Sequence, residues 1–132
     1  AWMSGGLETA AGHFRRALSL EPNNLTALAS LTAVLVEQKN SGDALHWYAK
    51  LKAQQHPAPE LSYNLGLLLQ LDGDHTNAKD CYQEAVAGRP DFLQALLNLG
   101  HVLEAAGQAD EARQAWSKAV ALDPTLAAAG LL

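Results

Sequence analysis

The side chains that could do chemistry are few in this sequence, and they lie far apart. Cys81 is the only cysteine. The histidines are scattered along the chain: His13, His46, His56, His75 and His101. A catalytic nucleophile needs a base within reach, and there is no Gly-x-Ser-x-Gly turn, glycine-rich phosphate loop or His-Glu-x-x-His helix. We therefore predict a protein that is not an enzyme, with Cys81 as a small core residue.

One short stretch combines acidic residues with a histidine. It runs Asp72-Gly73-Asp74-His75. A calcium loop needs further oxygen ligands downstream of such a start, and they do not follow here. The stretch is typical of a polar turn, with Gly73 at the bend and Asp74 as a helix cap, and Asn24 is expected to cap another helix. We expect neither a metal site nor a cofactor.

Composition excludes two further classes. The 9 Lys and Arg against 14 Asp and Glu give a formal charge of -5, the wrong sign for a protein that binds nucleic acid through its phosphates. The longest uncharged apolar run, 65–71, is interrupted by Gln70 and is far shorter than the roughly 20 residues that cross a bilayer. The lone cysteine excludes an internal disulfide framework and favours the cytoplasm. We expect a soluble chain that neither binds nucleic acid nor inserts into a membrane.

A period of 34 residues organises the whole chain. An alanine column holds Ala10, Ala44, Ala78 and Ala112, and an aromatic column holds Phe14, Tyr48, Tyr82 and Trp116. Two leucine columns hold Leu31, Leu65 and Leu99, and Leu35, Leu69 and Leu103. Proline closes three units at Pro22, Pro90 and Pro124, whereas His56 takes this place once. Such self-similarity is the signature of a repeat protein.

Each unit is predicted to contain two helices. Apolar residues recur at i, i+3 and i+7 in a first stripe, and a second stripe follows a short polar turn. Gly5, Gly73 and Gly107 lie where the first helix must stop, a position that favours left-handed backbone, and Lys39 takes this place once.

Small residues on the first helix are expected to bring the paired backbones close together. Gly66 and Gly100 occupy these positions, and the rings of Tyr82 and Trp116 are expected to fill the gap toward the next unit. Three departures from the pattern fall in one unit and predict looser packing there: Thr32, Leu51 and His56.

These columns resemble the tetratricopeptide repeat, with its Leu-Gly pair, small alanine, aromatic four residues later and terminal proline. The resemblance implies an all-α fold, a right-handed α-solenoid of antiparallel helix pairs in 34-residue repeats. It divides the chain into a partial repeat over 1–24 with its second helix over 5–22, full repeats over 25–58, 59–92 and 93–126, and the start of a further helix over 127–132. Both ends lack a polar cap, which suggests a fragment of a longer array and self-association through the open ends.

The resemblance also implies that the first helices line a concave inner face that holds a partner's peptide or helix. Removing the packing columns leaves the candidate residues of this face: Ala29, Ser30, Ala33, Val36, Glu37, Tyr63, Asn64, Leu67, Gln70, Leu71, Leu97, Asn98, His101 and Glu104. None of them is Lys or Arg, so a clamp for a C-terminal carboxylate is disfavoured. The excess of leucine indicates an interface.

Asn64 and Asn98 lie one period apart and are expected to form a short amide ladder, with Ser30 as a weaker third member. This arrangement resembles the asparagine ladder of protein O-GlcNAc transferases. Our first hypothesis is a non-catalytic scaffold that binds a partner peptide or helix. The alternatives are a substrate-recognition array of a larger enzyme, such as an O-GlcNAc-transferase-like glycosyltransferase, and a self-assembling oligomerisation module.

Overall fold

The computed structural model describes residues 4–128 and 130, and its regular structure within these residues is entirely helical. The helices in chain order are α1 (Ser4–Leu20), α2 (Leu25–Glu37), α3 (Ser41–Ala53), α4 (Pro59–Leu71), α5 (His75–Gly88), α6 (Leu93–Ala105), α7 (Ala109–Leu122) and α8 (Thr125–Ala128). The sequence prediction of an all-α fold is confirmed.

The helices follow the 34-residue period. The first helices of the three pairs, α2, α4 and α6, start at Leu25, Pro59 and Leu93, and each is 13 residues long. Their partners α3, α5 and α7 start at Ser41, His75 and Ala109. Each pair packs as an antiparallel hairpin, and α3 and α5 also contact the first helix of the following pair. The result is the predicted right-handed α-solenoid.

The residues of the polar turns cap the helices or adopt the left-handed backbone that ends them. The side chains of Asn24 and Asp74 accept hydrogen bonds from the backbone N–H three residues ahead, at 3.0 and 3.2 Å, as N-caps do. Gly73 and Gly107 adopt φ values of 83° and 81° after their helices, and Lys39 adopts 58° at the equivalent position. This backbone strains a residue with a Cβ, so Lys39 carries a cost that glycine avoids.

Two expectations for the chain ends need comment. The prediction that Gly5 lies in a turn is wrong, because α1 begins at Ser4 and includes it. The further helix predicted over 127–132 falls partly on positions 129, 131 and 132, which lie outside the described residues, as do residues 1–3 before α1. Within the described part, α8 spans Thr125–Ala128.

The repeat columns form the core. Leu31, Leu35 and Leu65 are fully buried, and so are Ala44 and Ala78. Because each helix pair buries these residues against its neighbours, the core is a continuous layer along the array instead of one central cluster.

The rings of Tyr82 and Trp116 pack against the glycines of the first helices. A Cβ atom on Gly66 would lie 2.7 Å from Cε1 of Tyr82, and one on Gly100 would overlap the Trp116 indole. The glycines therefore make room for the ring of their own helix pair. The expectation that these rings fill the gap toward the next unit stays a prediction.

Tyr48 makes a hydrogen bond to the next unit. Thr32 stands at the glycine position of its helix pair, fully buried, with its hydroxyl bonded to the Leu28 carbonyl at 2.7 Å. The Tyr48 hydroxyl instead meets the Ser62 hydroxyl of α4 at 2.6 Å. Ser62 is buried at a position where the other units have Leu28 and Leu96. Thr32 is thus satisfied within its own helix, and Tyr48 makes a polar contact between two repeats.

The contact between Tyr48 and Ser62 predicts a measurable coupling. We expect Tyr48→Phe and Ser62→Ala each to lower the free energy of unfolding by about 1–2 kcal/mol, because each leaves a buried hydroxyl without its partner. The double variant should cost about 1 kcal/mol less than the two single variants added together. Urea unfolding of the four proteins checks this, and strictly additive losses would contradict it.

Candidate functional site

The predicted inner-face residues lie on α2, α4 and α6, and all of them are half-buried or exposed. Eight of them line two clefts between α2 and α4. These eight are Ala29, Ser30, Ala33, Val36, Glu37, Asn64, Leu67 and Leu71. The prediction placed them on one surface, and the structure brings them together along one groove.

The first cleft, which we call the Arg89 cleft, has a volume of about 440 Å³. Its lining combines three residues of α2 with the start of α4 and one arginine: Ala29, Ser30, Ala33, Ala58, Pro59, Glu60, Leu61 and Arg89. Small side chains on α2 leave this space, because Ala29 and Ala33 stand where the next helix pair has Tyr63 and Leu67.

The second cleft, the Leu71 cleft, has a volume of about 320 Å³. It shares Ala33 and Leu61 with the Arg89 cleft, so the two form one groove between α2 and α4. Its far end is formed by Leu67 and Leu71, and Leu71 is 83% exposed. A large apolar side chain so exposed beside an apolar cleft is typical of an interaction surface.

The space between α4 and α6 is filled by the chain itself. The Tyr63 ring lies 4.9 Å from the Phe92 ring and 5.9 Å from the Tyr82 ring. The Tyr63 hydroxyl accepts a hydrogen bond from Nδ2 of Asn98 at 3.2 Å, and the Tyr82 hydroxyl donates to Oε1 of Gln70 at 2.7 Å. Burial raises the pKa of Tyr82 above its ordinary value, so its hydroxyl stays protonated as a donor.

Three predicted binding residues therefore have internal partners: Tyr63, Gln70 and Asn98. Asn64 differs from Asn98, because it is exposed and its amide makes no side-chain hydrogen bond within the described part of the chain. The reason is that Ala29 stands one period before Tyr63 and offers no hydroxyl. The two members of the predicted amide ladder thus have different surroundings.

The last inner-face residues lie on α6 beyond Asn98. Leu97 is half-buried, whereas His101 and Glu104 are exposed. The His101 ring meets the Trp116 ring edge to face, with centroids 5.7 Å apart.

Two basic residues line the groove, although the sequence predicted none there. Arg89, in the loop after α5, lies 3.4 Å from the Glu60 carboxylate, 3.7 Å from that of Asp91 and 4.4 Å from the centre of the Phe92 ring. Lys39 lines the Leu71 cleft from the turn after α2. Both were missed because helical periodicity assigns faces to helix residues only, and these two lie in connections. The two acidic neighbours of Arg89 offset its charge.

Reactive groups elsewhere are shielded or dispersed. Cys81 is buried as predicted, and burial raises the pKa of its thiol to about 12, so it carries no thiolate at neutral pH. Over the described ranges, no three His, Cys, Asp or Glu side chains are grouped as metal ligands. None of the described helices is long and apolar enough to cross a membrane.

Stacked helix pairs with an open groove along their first helices define a helical-repeat scaffold. Residues 63–127 match the tetratricopeptide repeat family model. The chain is a tetratricopeptide repeat array, as the sequence columns indicated.

Known proteins resemble both its sequence and its shape. The photosystem I assembly protein Ycf3 of Acaryochloris marina is 42% identical over 53 residues, 39% of this chain and 32% of that protein. The crystal structure of MamA superposes with a TM-score of 0.76 at 25% identity, covering 92% of this chain and 71% of that one. YrrB, described as a TPR protein with an unusual peptide-binding site, gives a TM-score of 0.76 at 25% identity, covering 92% and 62%.

The chain spans between 12% and 32% of the length of the curated relatives it matches. What it shares with them is the repeat array. The fold and these relatives support a protein–protein interaction scaffold.

Proposed function

We propose that this array binds a segment of a partner protein in the groove between α2 and α4, with the remaining inner-face residues on α4 and α6 extending the contact. The observation that carries the proposal is the Leu71 cleft, where Leu71 is 83% exposed beside Val36 and Leu67. YrrB, whose structure is similar to 92% of this chain, is described as having a peptide-binding site.

The groove's lining indicates what the segment offers. Ala33, Leu61 and Leu67 form an apolar surface, which favours apolar side chains on the partner. Asn64 provides a donor and an acceptor for the partner's backbone. Because Arg89 contacts Glu60 and Asp91, it does not offer an unpaired charge to a terminal carboxylate, and Lys39 is a single cation at the other cleft. We therefore propose that the groove binds an internal segment of the partner and not its C-terminal carboxylate.

Leu71→Glu tests the proposal with little risk to folding, because the side chain is exposed. We expect a peptide selected from a random display library on the wild-type array to bind Leu71→Glu at least tenfold more weakly, since a carboxylate at the apolar cleft is poorly solvated when the peptide covers it. Leu67→Glu should weaken binding at least as much. Isothermal titration calorimetry gives the dissociation constants.

Leu20→Glu is the matched control. Leu20 is 80% exposed on α1, outside both clefts, so this variant changes charge and surface hydrophobicity equally and should bind like wild type. Equal affinity of Leu71→Glu and wild type would remove the groove from the mechanism. Sedimentation velocity on the same samples tests self-association, which would appear as a mass that rises with concentration.

A further inference from the structure

The space between α4 and α6 shows how this array holds a phenol ring. Tyr63 projects from α4, its ring packs 4.9 Å from that of Phe92, and its hydroxyl accepts a hydrogen bond from Asn98 at 3.2 Å. The ring also packs against the cluster of Ala85 and Ala95. The Phe92 ring, the two alanines and the Asn98 amide together surround the tyrosine side chain and satisfy its hydroxyl.

The equivalent space between α2 and α4 keeps the amide and lacks the two rings. One period earlier, Ala29 replaces Tyr63, Ala58 replaces Phe92 and Asn64 replaces Asn98. Two methyl groups stand where two rings meet in the other space, while the wall alanines Ala85 and Ala95 correspond to the larger Leu51, which is buried, and Leu61.

The space that results is the Arg89 cleft, which Ala29 and Ala58 line. It is an open cleft with a volume of about 440 Å³. Leu61, one period before Ala95, lines the cleft without closing it.

We infer that the Arg89 cleft is a socket for one tyrosine side chain of the partner, seated between α2 and α4 as Tyr63 is seated between α4 and α6. The inference rests on the proposed function and adds the residue type that the groove selects. The ring covers the methyl groups of Ala29 and Ala58, and the phenol oxygen accepts a hydrogen bond from the Asn64 amide.

Two features favour tyrosine over an aliphatic side chain. An aromatic ring buries a large apolar area and orders only two side-chain torsions. Asn64 lines the Leu71 cleft, which adjoins the Arg89 cleft through Ala33 and Leu61. A hydroxyl at the tip of the ring meets an amide there that has no side-chain partner among the described residues.

The first test uses p-cresol, the analogue of the tyrosine side chain, and needs no peptide. In methyl NMR spectra of the full chain labelled at alanine, we expect p-cresol to shift Ala29, Ala33 and Ala58 in a saturable way. Toluene, which lacks the hydroxyl, should bind about fivefold more weakly, the factor that one net hydrogen bond of about 1 kcal/mol supplies.

Ala29→Tyr should abolish these shifts, because the chain then fills the cleft with its own ring, as it does with Tyr63. Ala49→Tyr adds the same ring at an exposed position of α3 outside the clefts and should bind p-cresol like wild type. Circular dichroism confirms that both variants keep their helix content. Asn64→Ala provides an independent variant, in which the preference for p-cresol over toluene should disappear.

The second test uses the display-selected peptide. Replacing its tyrosine by alanine should weaken binding about tenfold to a hundredfold, as expected for burying one large apolar side chain, and replacement by phenylalanine about fivefold. The fivefold difference should vanish in Asn64→Ala.

The outcomes separate the socket from the groove. If p-cresol still binds Ala29→Tyr, or the selected peptides contain no tyrosine yet remain sensitive to Leu71→Glu, the socket is wrong and the groove stands. A peptide insensitive to Leu71→Glu contradicts the groove, whereas the p-cresol titration still decides whether the cleft accepts a phenol.

Discussion

Replacing Gly66 by alanine is expected to lower the free energy of unfolding by up to about 2 kcal/mol. The added Cβ would lie 2.7, 2.9 and 3.2 Å from three atoms of the Tyr82 ring, and overpacking of a core costs about 1–3 kcal/mol. The ring cannot move aside, because it is fully buried and its hydroxyl is bonded to Gln70. The better helix propensity of alanine offsets about 1 kcal/mol of this cost. Because the overlap with the ring is severe, we expect the net change in the free energy of unfolding to be destabilising.

Gly12→Ala is the control for helix propensity. Gly12 lies inside α1, is exposed, and a Cβ there would meet nothing within 4 Å. This variant should therefore raise the free energy of unfolding, by up to about 1 kcal/mol. Urea unfolding followed by circular dichroism measures both variants. If Gly66→Ala proved as stabilising as Gly12→Ala, the ring would not be packed against α4 as described.

The fold could be predicted from the sequence because every helix pair repeats the same local information. One column residue such as Leu65 is weak evidence, but Leu31 and Leu99 at the same spacing fix the register of a helix that must be buried. The helix starts at Leu25, Pro59 and Leu93 follow that register without a shift. The boundaries assigned to individual repeats stay a prediction.

The inner face was predictable as a surface but not as a site. Periodicity places Tyr63 and Asn98 on this face, yet it cannot show that they bond to each other across two helices. That contact depends on the distance between α4 and α6, which the side chains between them set. Arg89 and Lys39 were missed for a related reason, since connections have no period from which to infer a direction.

The same limit applies to the rings. The sequence shows a glycine and an aromatic residue in each of two helix pairs, but not which space the ring enters. Thr32 in place of glycine sends Tyr48 toward Ser62, whereas Gly66 accepts Tyr82 within its own pair. Comparing the repeats within one chain therefore indicates packing differences that a single repeat does not show. The same comparison shows that the spaces along the groove differ in size, because Ala29 stands one period before Tyr63.

Alkaline pH is expected to destabilise this array, because burial in the folded state raises the pKa values of three acidic side chains. Burial raises the pKa of Cys81 from 9.0 to about 12 and that of Tyr48 from 10.0 to about 12, and it raises the pKa of Tyr82 in the same direction. Above about pH 9 the unfolded chain releases these protons while the folded chain keeps them, so the unfolded state binds fewer protons and stability falls as pH rises. The stabilisation is complete below the unfolded-state pKa values.

We expect the free energy of unfolding to fall by about 4 kcal/mol between about pH 8 and about pH 10.5, with roughly half of the loss due to Cys81, because its unfolded-state pKa is the lowest. Urea unfolding at a series of pH values, with a reductant present, measures the fall. Cys81→Ala is the control: it should be less stable near neutral pH but lose only about 2 kcal/mol over the same range. The tyrosinate absorbance of Tyr48 and Tyr82, measured with Tyr63 replaced by phenylalanine, should rise together with the loss of helix. Ionisation of the tyrosines in a chain that keeps its helices would show that Tyr48 and Tyr82 are accessible to solvent, and a pH-independent stability would show that the protons of Cys81, Tyr48 and Tyr82 are not held by burial.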